Sequence, residues 1–253
     1  MILSFKKSTA IILFFVLLGT LGLASAVKHT NASTVYFGGT TKKLPIYSVG
    51  RTDNKISISF DCAYGAEYTQ GILDVLNEYD VKCTFFVVDF WAKKYPDVLK
   101  AIVENGHEIG THSTTHPKMS KLSTTEIKEE LTTSINTITE LTGQKVELFR
   151  APFGDYDNDV LTIAEGMGLY TIQWDVDSID WKDISAKQIT SRVVNKTKSG
   201  SIILCHNNGL HTLEALPYVL SNLKEKGYEF VKISELIYKE NYEINSFGVQ
   251  TIK

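Results

Sequence analysis

Two histidines four residues apart, His112 and His116, form the first pattern in this sequence that could do chemistry. On a helical turn this spacing brings both imidazoles to one side, within reach of a single cation. Two solvated histidines in a polar loop would show the same spacing. The pattern therefore leaves metal binding and a surface loop as alternatives.

Three further polar residues follow apolar segments of the chain. Asp61 directly follows the strand-like residues 56–60. An uncompensated carboxylate at the end of a buried segment would be costly, so Asp61 is either a cap for the next segment or a general base. His206 is either a core histidine bonded to backbone or an acid that protonates a leaving group. Arg150 either pairs with a surface carboxylate or clamps Asp61 and lowers the pKa of that carboxyl.

From residue 55 onward, strand-like and helix-like segments alternate along the chain. Alternation of apolar residues with Ser predicts a strand at residues 56–60, and apolar and β-branched runs predict strands at 83–88, 201–205 and 228–232. Helices are predicted between them, two of which begin at the capping boxes that start at Ser123 and Ser185. This alternation predicts a parallel sheet with helices outside, either open or closed into a barrel. In both folds ligands gather where the strands end, so the polar residues at those ends should meet.

The composition is that of a globular chain with an ordinary core. Of its 253 residues 43% are hydrophobic and 22% are charged, and the net charge is −3. Because there is no basic excess to neutralise phosphates, we expect no nucleic-acid partner. Three cysteines are too few, and odd in number, for a disulfide scaffold.

The first residues of the chain are typical of an export signal. Lys6 and Lys7 precede an apolar run at residues 9–23, and Ala24-Ser25-Ala26 resembles a cleavage site. We interpret residues 1–26 as a signal peptide or an N-terminal membrane anchor. The protein is then expected to be secreted or held on the outer face of the membrane, in the cell wall. Residues 27–54 are expected to be a linker with one possible edge strand, 55–240 the catalytic domain, and 241–253 a C-terminal tail.

Five short motifs in order resemble those of the polysaccharide deacetylases, carbohydrate esterase family 4, over about residues 55–237. The closest subgroup is that of the single-domain anchored deacetylases of spore-forming bacteria. The motifs are Ser59-Phe60-Asp61, His112-Ser113-Thr114-Thr115-His116, Arg150-Ala151-Pro152-Phe153-Gly154, Asp177-Ser178-Ile179-Asp180-Trp181 and Leu204-Cys205-His206. The resemblance implies an α/β fold, a distorted (β/α) barrel of about seven parallel strands. It also implies a metal-dependent hydrolase that removes N-acetyl groups from a cell-wall polysaccharide, with peptidoglycan or chitin-like N-acetylglucosamine units as substrate.

The resemblance also implies a role for each matched residue. His112 and His116 match metal ligands, Asp61 the general base, His206 the general acid and Arg150 the residue that orients the base. The remaining matches are Asp180, a carboxylate on the far side of the groove; Trp181, its wall; Leu204, the pocket for the acetyl methyl; and Phe153, whose backbone N–H would help to hold the oxyanion.

The chain departs from the family pattern at Cys62, where the family has the aspartate that is its third metal ligand. A thiolate ligand would favour zinc over harder cations, so the expected cofactor is a divalent ion, zinc first, with cobalt or manganese as alternatives. Alternatively, Cys62 is only a small residue beside a two-histidine site, or no metal binds well. Cys205 is expected to face away from the site, and Cys83 to be a buried small hydrophobe.

Two other functions share these motifs. One is a catalytically weak or inactive homologue that binds cell-wall glycan, and the other is an esterase that removes O-acetyl groups from xylan. The expected partner in each case is a cell-wall polysaccharide. We expect a monomer that contacts a membrane only through its N-terminal segment.

Overall fold

The computed structural model describes residues 42–253. The signal peptide or anchor predicted at residues 1–26 lies outside the described residues. None of the helices within 42–253 has the length and apolar character needed to cross a membrane.

A curled sheet of seven parallel strands forms the centre of the fold. The strands are β2 (Lys55–Cys62), β3 (Thr84–Val87), β4 (Glu108–Thr111), β5 (Leu148–Phe149), β6 (Tyr170–Thr171), β7 (Val176–Asp177) and β8 (Ile202–His206). Their spatial order is β6-β5-β4-β3-β2-β8-β7, and the resulting half-barrel has helices around it, as the sequence predicted.

The helices lie mostly in the connections between these strands. They are α1 (Thr69–Glu78), α2 (Asp89–Lys94), α3 (Pro96–Glu104), α4 (Thr124–Thr142), α5 (Asn158–Gly166), α6 (Ala186–Lys196), α7 (Thr212–Glu225) and α8 (Ile233–Leu236). Single 3₁₀ turns occupy Met119–Lys121, Pro152–Gly154 and Asp180–Lys182.

A small second sheet joins the two ends of the described chain. β1 (Ser48–Val49) pairs parallel with β11 (Val249–Ile252), which pairs antiparallel with β10 (Tyr242–Ile244). Residues 241–253, expected to be a tail, thus contain two strands. A further short strand, β9 (Glu229–Phe230), pairs with the beginning of β2.

The central strand β2 is buried on both faces, and the two faces differ in chemistry. Ile58, Phe60 and Cys62 pack into the main apolar core together with side chains of the surrounding helices. Ser59 and Asp61 alternate with them, because successive side chains of a strand point to opposite faces. The polar face of β2 is therefore the one that reaches the site described below.

Local sequence signals set several helix boundaries. The capping boxes of Ser123 with Glu126 and of Ser185 with Gln188 are both formed, which satisfies backbone N–H groups at the starts of α4 and α6. Pro96 occupies the first turn of α3, where its missing N–H costs no helical hydrogen bond. Gly143 ends α4 in the left-handed conformation that favours glycine.

Replacing Gly200 by alanine should destabilise the fold more than replacing Gly168. Both glycines have a positive φ, +79° and +76°, so each substitution costs roughly 1–2 kcal/mol of backbone strain. At Gly200 the new Cβ would also lie 1.7 Å from the carbonyl oxygen of Val49 in β1, whereas Gly168 has open space. We expect Gly200→Ala to cost about 1–3 kcal/mol more in the free energy of unfolding, measured by denaturant titration. Equal losses would contradict this packing between β1 and the start of β8.

Candidate active site

A cavity of about 540 Å³ lies at the C-terminal ends of the central strands. Seven of the nine site residues predicted from the sequence line it, and Arg150 and Asp180 are buried directly beneath its lining. The lining residues are Asp61, Ala63, Tyr64, His112, His116, Phe153, Trp174, Asp177, Trp181, Leu204, His206 and Asn208. Another cavity of similar size, between α6 and α7, contains none of the predicted residues.

Asp61 and Arg150 form a buried ion pair on one side of the cavity. Nη1 of Arg150 donates to Oδ1 of Asp61 at 2.7 Å and to the hydroxyl of Ser59 at 2.9 Å. Burial raises the pKa of the Asp61 carboxyl, but the charge and hydrogen bond of Arg150, together with the charges of His112 and His206, outweigh burial and leave that pKa below its usual value. Asp61 is therefore an ionised carboxylate at neutral pH, with Oδ1 held and Oδ2 facing His112.

The two histidines meet beside this carboxylate. Nδ1 of His112 lies 2.7 Å from the backbone oxygen of Arg150, which can only accept, so that nitrogen carries the proton and Nε2 presents its lone pair. Nε2 of His112 is 3.3 Å from Nε2 of His116 and 3.5 Å from Oδ2 of Asp61. Burial lowers the pKa of both imidazoles, that of His116 to about 4, so both rings are neutral at pH 7.

A glutamate that the sequence analysis missed holds the loop between the histidines. The backbone N–H groups of Thr114 and Thr115 both donate to Oε2 of Glu130 at 2.8 Å. His116, in this loop, has a positive φ of +59°, an unusual conformation for a residue with a side chain. Glu130 lies on α4, sixteen residues away, and no local pattern links it to the loop.

His206 faces the cavity from the other side and is held by Asp180. Nδ1 of His206 lies 2.7 Å from Oδ1 of Asp180, and Oδ2 of Asp180 accepts from the backbone N–H of His206 and from the hydroxyl of Thr212, both at 2.7 Å. Burial by itself lowers the pKa of His206, but the hydrogen bond and charge of Asp180 raise it above its ordinary value. Thr212, which begins α7, shares no motif with Asp180 and was not among the predicted residues.

Aromatic side chains form the mouth of the cavity, and an aliphatic one lies deep inside it. Tyr64, Phe153 and Trp181 are more than half exposed, although large aromatic side chains are normally buried. Phe153 sits in the Pro152–Gly154 turn with a φ of +59°, which turns its ring toward His116, 4.6 Å between centroids. Leu204, by contrast, is 3% exposed. The cavity thus has a small apolar end and a wide aromatic rim.

Cys62 lies outside this arrangement. Its side chain is fully buried among Phe60 and the apolar side chains between β2 and the helices, and burial raises the pKa of its thiol well above the usual value. Cys205 faces the same core, and Cys83 is buried there too, as expected. A protonated thiol in an apolar core is a packing group, which argues against Cys62 as a metal ligand and leaves the two-histidine site and the absence of a well-bound metal as the remaining alternatives.

The residues present fit a divalent metal in part. Within residues 42–253, no three His, Cys, Asp or Glu side chains lie together in a group that could hold a metal ion. The histidine pair itself fits, since zinc–nitrogen bonds of about 2.0–2.1 Å in a tetrahedral site place two nitrogens about 3.4 Å apart. The bond from Nδ1 of His112 to a backbone carbonyl is also the support that metal-bound histidines usually have.

Comparison with known proteins identifies the family. The polysaccharide deacetylase family model matches residues 48–172. The chain is 32% identical over 196 residues to a peptidoglycan-N-acetylglucosamine deacetylase of Bacillus cereus. This match covers 76% of this chain and 92% of the Bacillus protein. The chain belongs to the polysaccharide deacetylase family. It is also 36% identical over 202 residues to the peptidoglycan-N-acetylglucosamine deacetylase PgdA of Listeria monocytogenes, but that match spans only 42% of the Listeria protein.

Among solved polysaccharide deacetylase structures, a carbohydrate esterase family 4 pseudoenzyme from Bacillus anthracis is similar at 38% identity and a TM-score of 0.74. The match covers 76% of this chain and 68% of that one. A mutant of the same protein is described as having restored enzymatic activity. Similarity to this family therefore extends to proteins with and without activity.

Replacing Asp180 by asparagine should lower the pKa of His206. The bond between Nδ1 and the Asp180 carboxylate is the main interaction that stabilises the imidazolium, whereas Asp177 contributes only through its more distant charge. An NMR titration of the His206 ring should show a drop of about one unit or more in Asp180→Asn. The matched variant Asp177→Asn should change it much less. An unchanged pKa in Asp180→Asn would contradict this assignment.

Proposed function

We propose that this chain is a metal-dependent hydrolase that removes N-acetyl groups from a cell-wall glycan. The observation that carries the proposal is the pairing across one cavity of a carboxylate held by Arg150 with an imidazole held by Asp180. Amide hydrolysis needs a base that activates water and an acid that protonates the departing amine. The two groups have pKa values shifted in opposite directions, as these two tasks require.

In this mechanism Asp61 takes the proton of the attacking water, and Arg150 keeps it ionised and oriented. His206 donates a proton from its cavity-facing Nε2 to the sugar amine, while Asp180 stabilises the charged imidazole. The acetyl methyl rests against Leu204, and the backbone N–H of Phe153 would stabilise the oxyanion. A divalent metal, held by His112 and His116, would polarise the acetyl carbonyl and the water when bound.

The rim of the cavity supports a sugar polymer as substrate. The exposed rings of Tyr64, Phe153 and Trp181 offer flat apolar faces of the kind on which sugar rings can stack. The family relatives named above are peptidoglycan-N-acetylglucosamine deacetylases, which favours peptidoglycan or a chitin-like chain over xylan. The apolar residues 9–23 support secretion, or anchoring at the outer face of the membrane, and we propose a monomer.

One observation favours a second function, a glycan-binding homologue with little or no activity. Cys62 stands where the family has a metal-binding aspartate, and its thiol is buried in the core. The similar Bacillus anthracis protein is described as a pseudoenzyme. The retained pairs of Asp61 with Arg150 and His206 with Asp180 argue for the active enzyme, because a binding module has no need of either.

Acetate release separates these functions. We expect the purified protein to release acetate from N-acetylated peptidoglycan or chitin oligomers, and chelation followed by zinc to remove and then restore this activity. Acetylated xylan serves as the control for an O-acetyl esterase. Glycan binding without acetate release would support the inactive homologue, and release from xylan alone would support the esterase.

The acid and the base can be assigned from the pH dependence of kcat/KM. Asp61→Asn and His206→Ala should each lower the rate by about 10²–10⁴-fold. His206 must be protonated to act as the acid, so the activity of the wild type should fall as pH rises through its raised pKa. Asp61 must be ionised to act as the base, so activity should also fall as pH falls through its lowered pKa. Asp180→Asn should move the alkaline limb to lower pH. If His206→Ala keeps more than about a tenth of the rate, another residue is the acid.

A further inference from the structure

The aromatic rim of the cavity continues past the residues that line it. Tyr64 lines the cavity and is 61% exposed, and its ring centroid lies 6.1 Å from that of His116. On Tyr64 rests a further ring, that of Phe90, with the centroids 6.0 Å apart and the planes tilted by 43°. Phe90 is 38% exposed and is not a lining residue. The rings of His116, Tyr64 and Phe90 thus form a row that leads from the cavity to the surface beside it.

Buried donors fix the loop that carries Tyr64. The backbone oxygen of Gly65 accepts from Nε1 of Trp91 at 2.6 Å and from Nδ2 of Asn207 at 2.9 Å. Both donor side chains are almost completely buried. Nδ2 of Asn207 also donates to the hydroxyl of Thr69 at 3.1 Å. A rim held in this way loses little conformational freedom when a ligand binds, and such preorganisation favours affinity.

Helix α2 determines where the second ring lies. Phe90 and Trp91 are neighbours on this helix, one at the surface and the other in the core. Trp91 reaches the loop of Tyr64 from inside through its indole N–H, while Phe90 packs against the ring of Tyr64 at the surface. The two contacts join the same helix to the same loop, so the relative position of Tyr64 and Phe90 is set before any ligand arrives.

The surroundings of this ring pair suit a sugar chain. Adjoining exposed aromatic side chains mark a binding surface, because such groups are normally buried. The exposed polar side chains of Glu67 and Asn208 lie on either side of Gly65 and can bond to hydroxyl groups. A sugar presents an apolar C–H face ringed by hydroxyls, which matches flat rings with polar neighbours. Two rings are far smaller than a standard protein–protein interface, and this argues against a protein partner.

We propose that Tyr64 and Phe90 form a stacking subsite for a sugar unit next to the one whose acetyl group enters the cavity. The proposal rests on the deacetylase function above and specifies its substrate as a chain of N-acetylated sugars rather than a single sugar. A polymer whose acetylated unit occupies the cavity has to leave it across the rim, where these rings lie. Contacts with units remote from the reacting amide supply binding energy that holds that amide in place.

The test is the dependence of binding on the length of a chitin oligomer. Isothermal titration calorimetry on the full chain in mild detergent, with a chelator present to prevent turnover, gives the affinity for N-acetylglucosamine and for oligomers of increasing length. Long oligomers should bind the wild type at least about tenfold more tightly than the single sugar, the scale of one well-packed aromatic contact.

Variants at Phe90 assign this gain to the ring. Phe90→Leu keeps an apolar side chain but removes the flat face, so it should lose most of the gain, whereas Phe90→Tyr should keep it. The matched control is Phe247→Leu, at a phenylalanine that is 83% exposed in the turn between β10 and β11, and it should bind like the wild type. Circular dichroism checks that each variant is folded.

Three results would overturn the subsite. They are equal affinity of the wild type for the single sugar and for long oligomers, unchanged binding of long oligomers in Phe90→Leu, and a loss in Phe90→Tyr as large as in Phe90→Leu. Acetate release is scored separately. Length-dependent binding without release would leave the subsite standing and remove the enzymatic function, whereas release with the same kcat/KM from the single sugar and from long oligomers would keep the enzyme and contradict the subsite.

Discussion

The buried ion pair of Arg150 and Asp61 is the interaction on which the rest of the site depends. Arg150 is fully buried, with its guanidinium 4.1 Å from the ring centroid of Phe86. One residue thus orients the carboxylate through its side chain and His112 through its backbone oxygen. Removal of one partner from such a pair leaves a buried charge and typically costs about 3–5 kcal/mol. The pair therefore positions the carboxylate and His112 on one side of the cavity, whereas Asp180 positions His206 on the other.

Much of the framework follows from local signals in the sequence. The capping residues Ser123 and Ser185 mark the starts of two helices, and both boxes are formed. The ion pair of Arg150 with Asp61 was also predictable, because a carboxylate at the end of a buried strand needs a compensating positive charge. The alternation of apolar with Ser and Asp side chains along β2 separates the face in the core from the face at the site, although both faces are buried. The neighbours of β2 in the sheet are set by long-range packing, which a local pattern does not report.

The features that sequence reasoning missed come from long-range contacts. Glu130 reaches the histidine loop from a helix, and Thr212 reaches Asp180 across 32 residues. The tail expected at residues 241–253 contains strands because β1 offers a partner for pairing. Cys62 is instructive in a different way: strand alternation alone indicated that it and Asp61 face opposite sides, whereas the family pattern placed a ligand there. In the structure the physical rule holds.

The pairs of Asp61 with Arg150 and of His206 with Asp180 therefore link the fold to the proposed chemistry. The measurement that tests this account most directly is a crystal structure of the protein with a bound N-acetylglucosamine oligomer. We expect the acetyl methyl to lie against Leu204, with the amide between the carboxylate of Asp61 and Nε2 of His206. An oligomer bound with its acetyl groups away from this cavity would contradict the account.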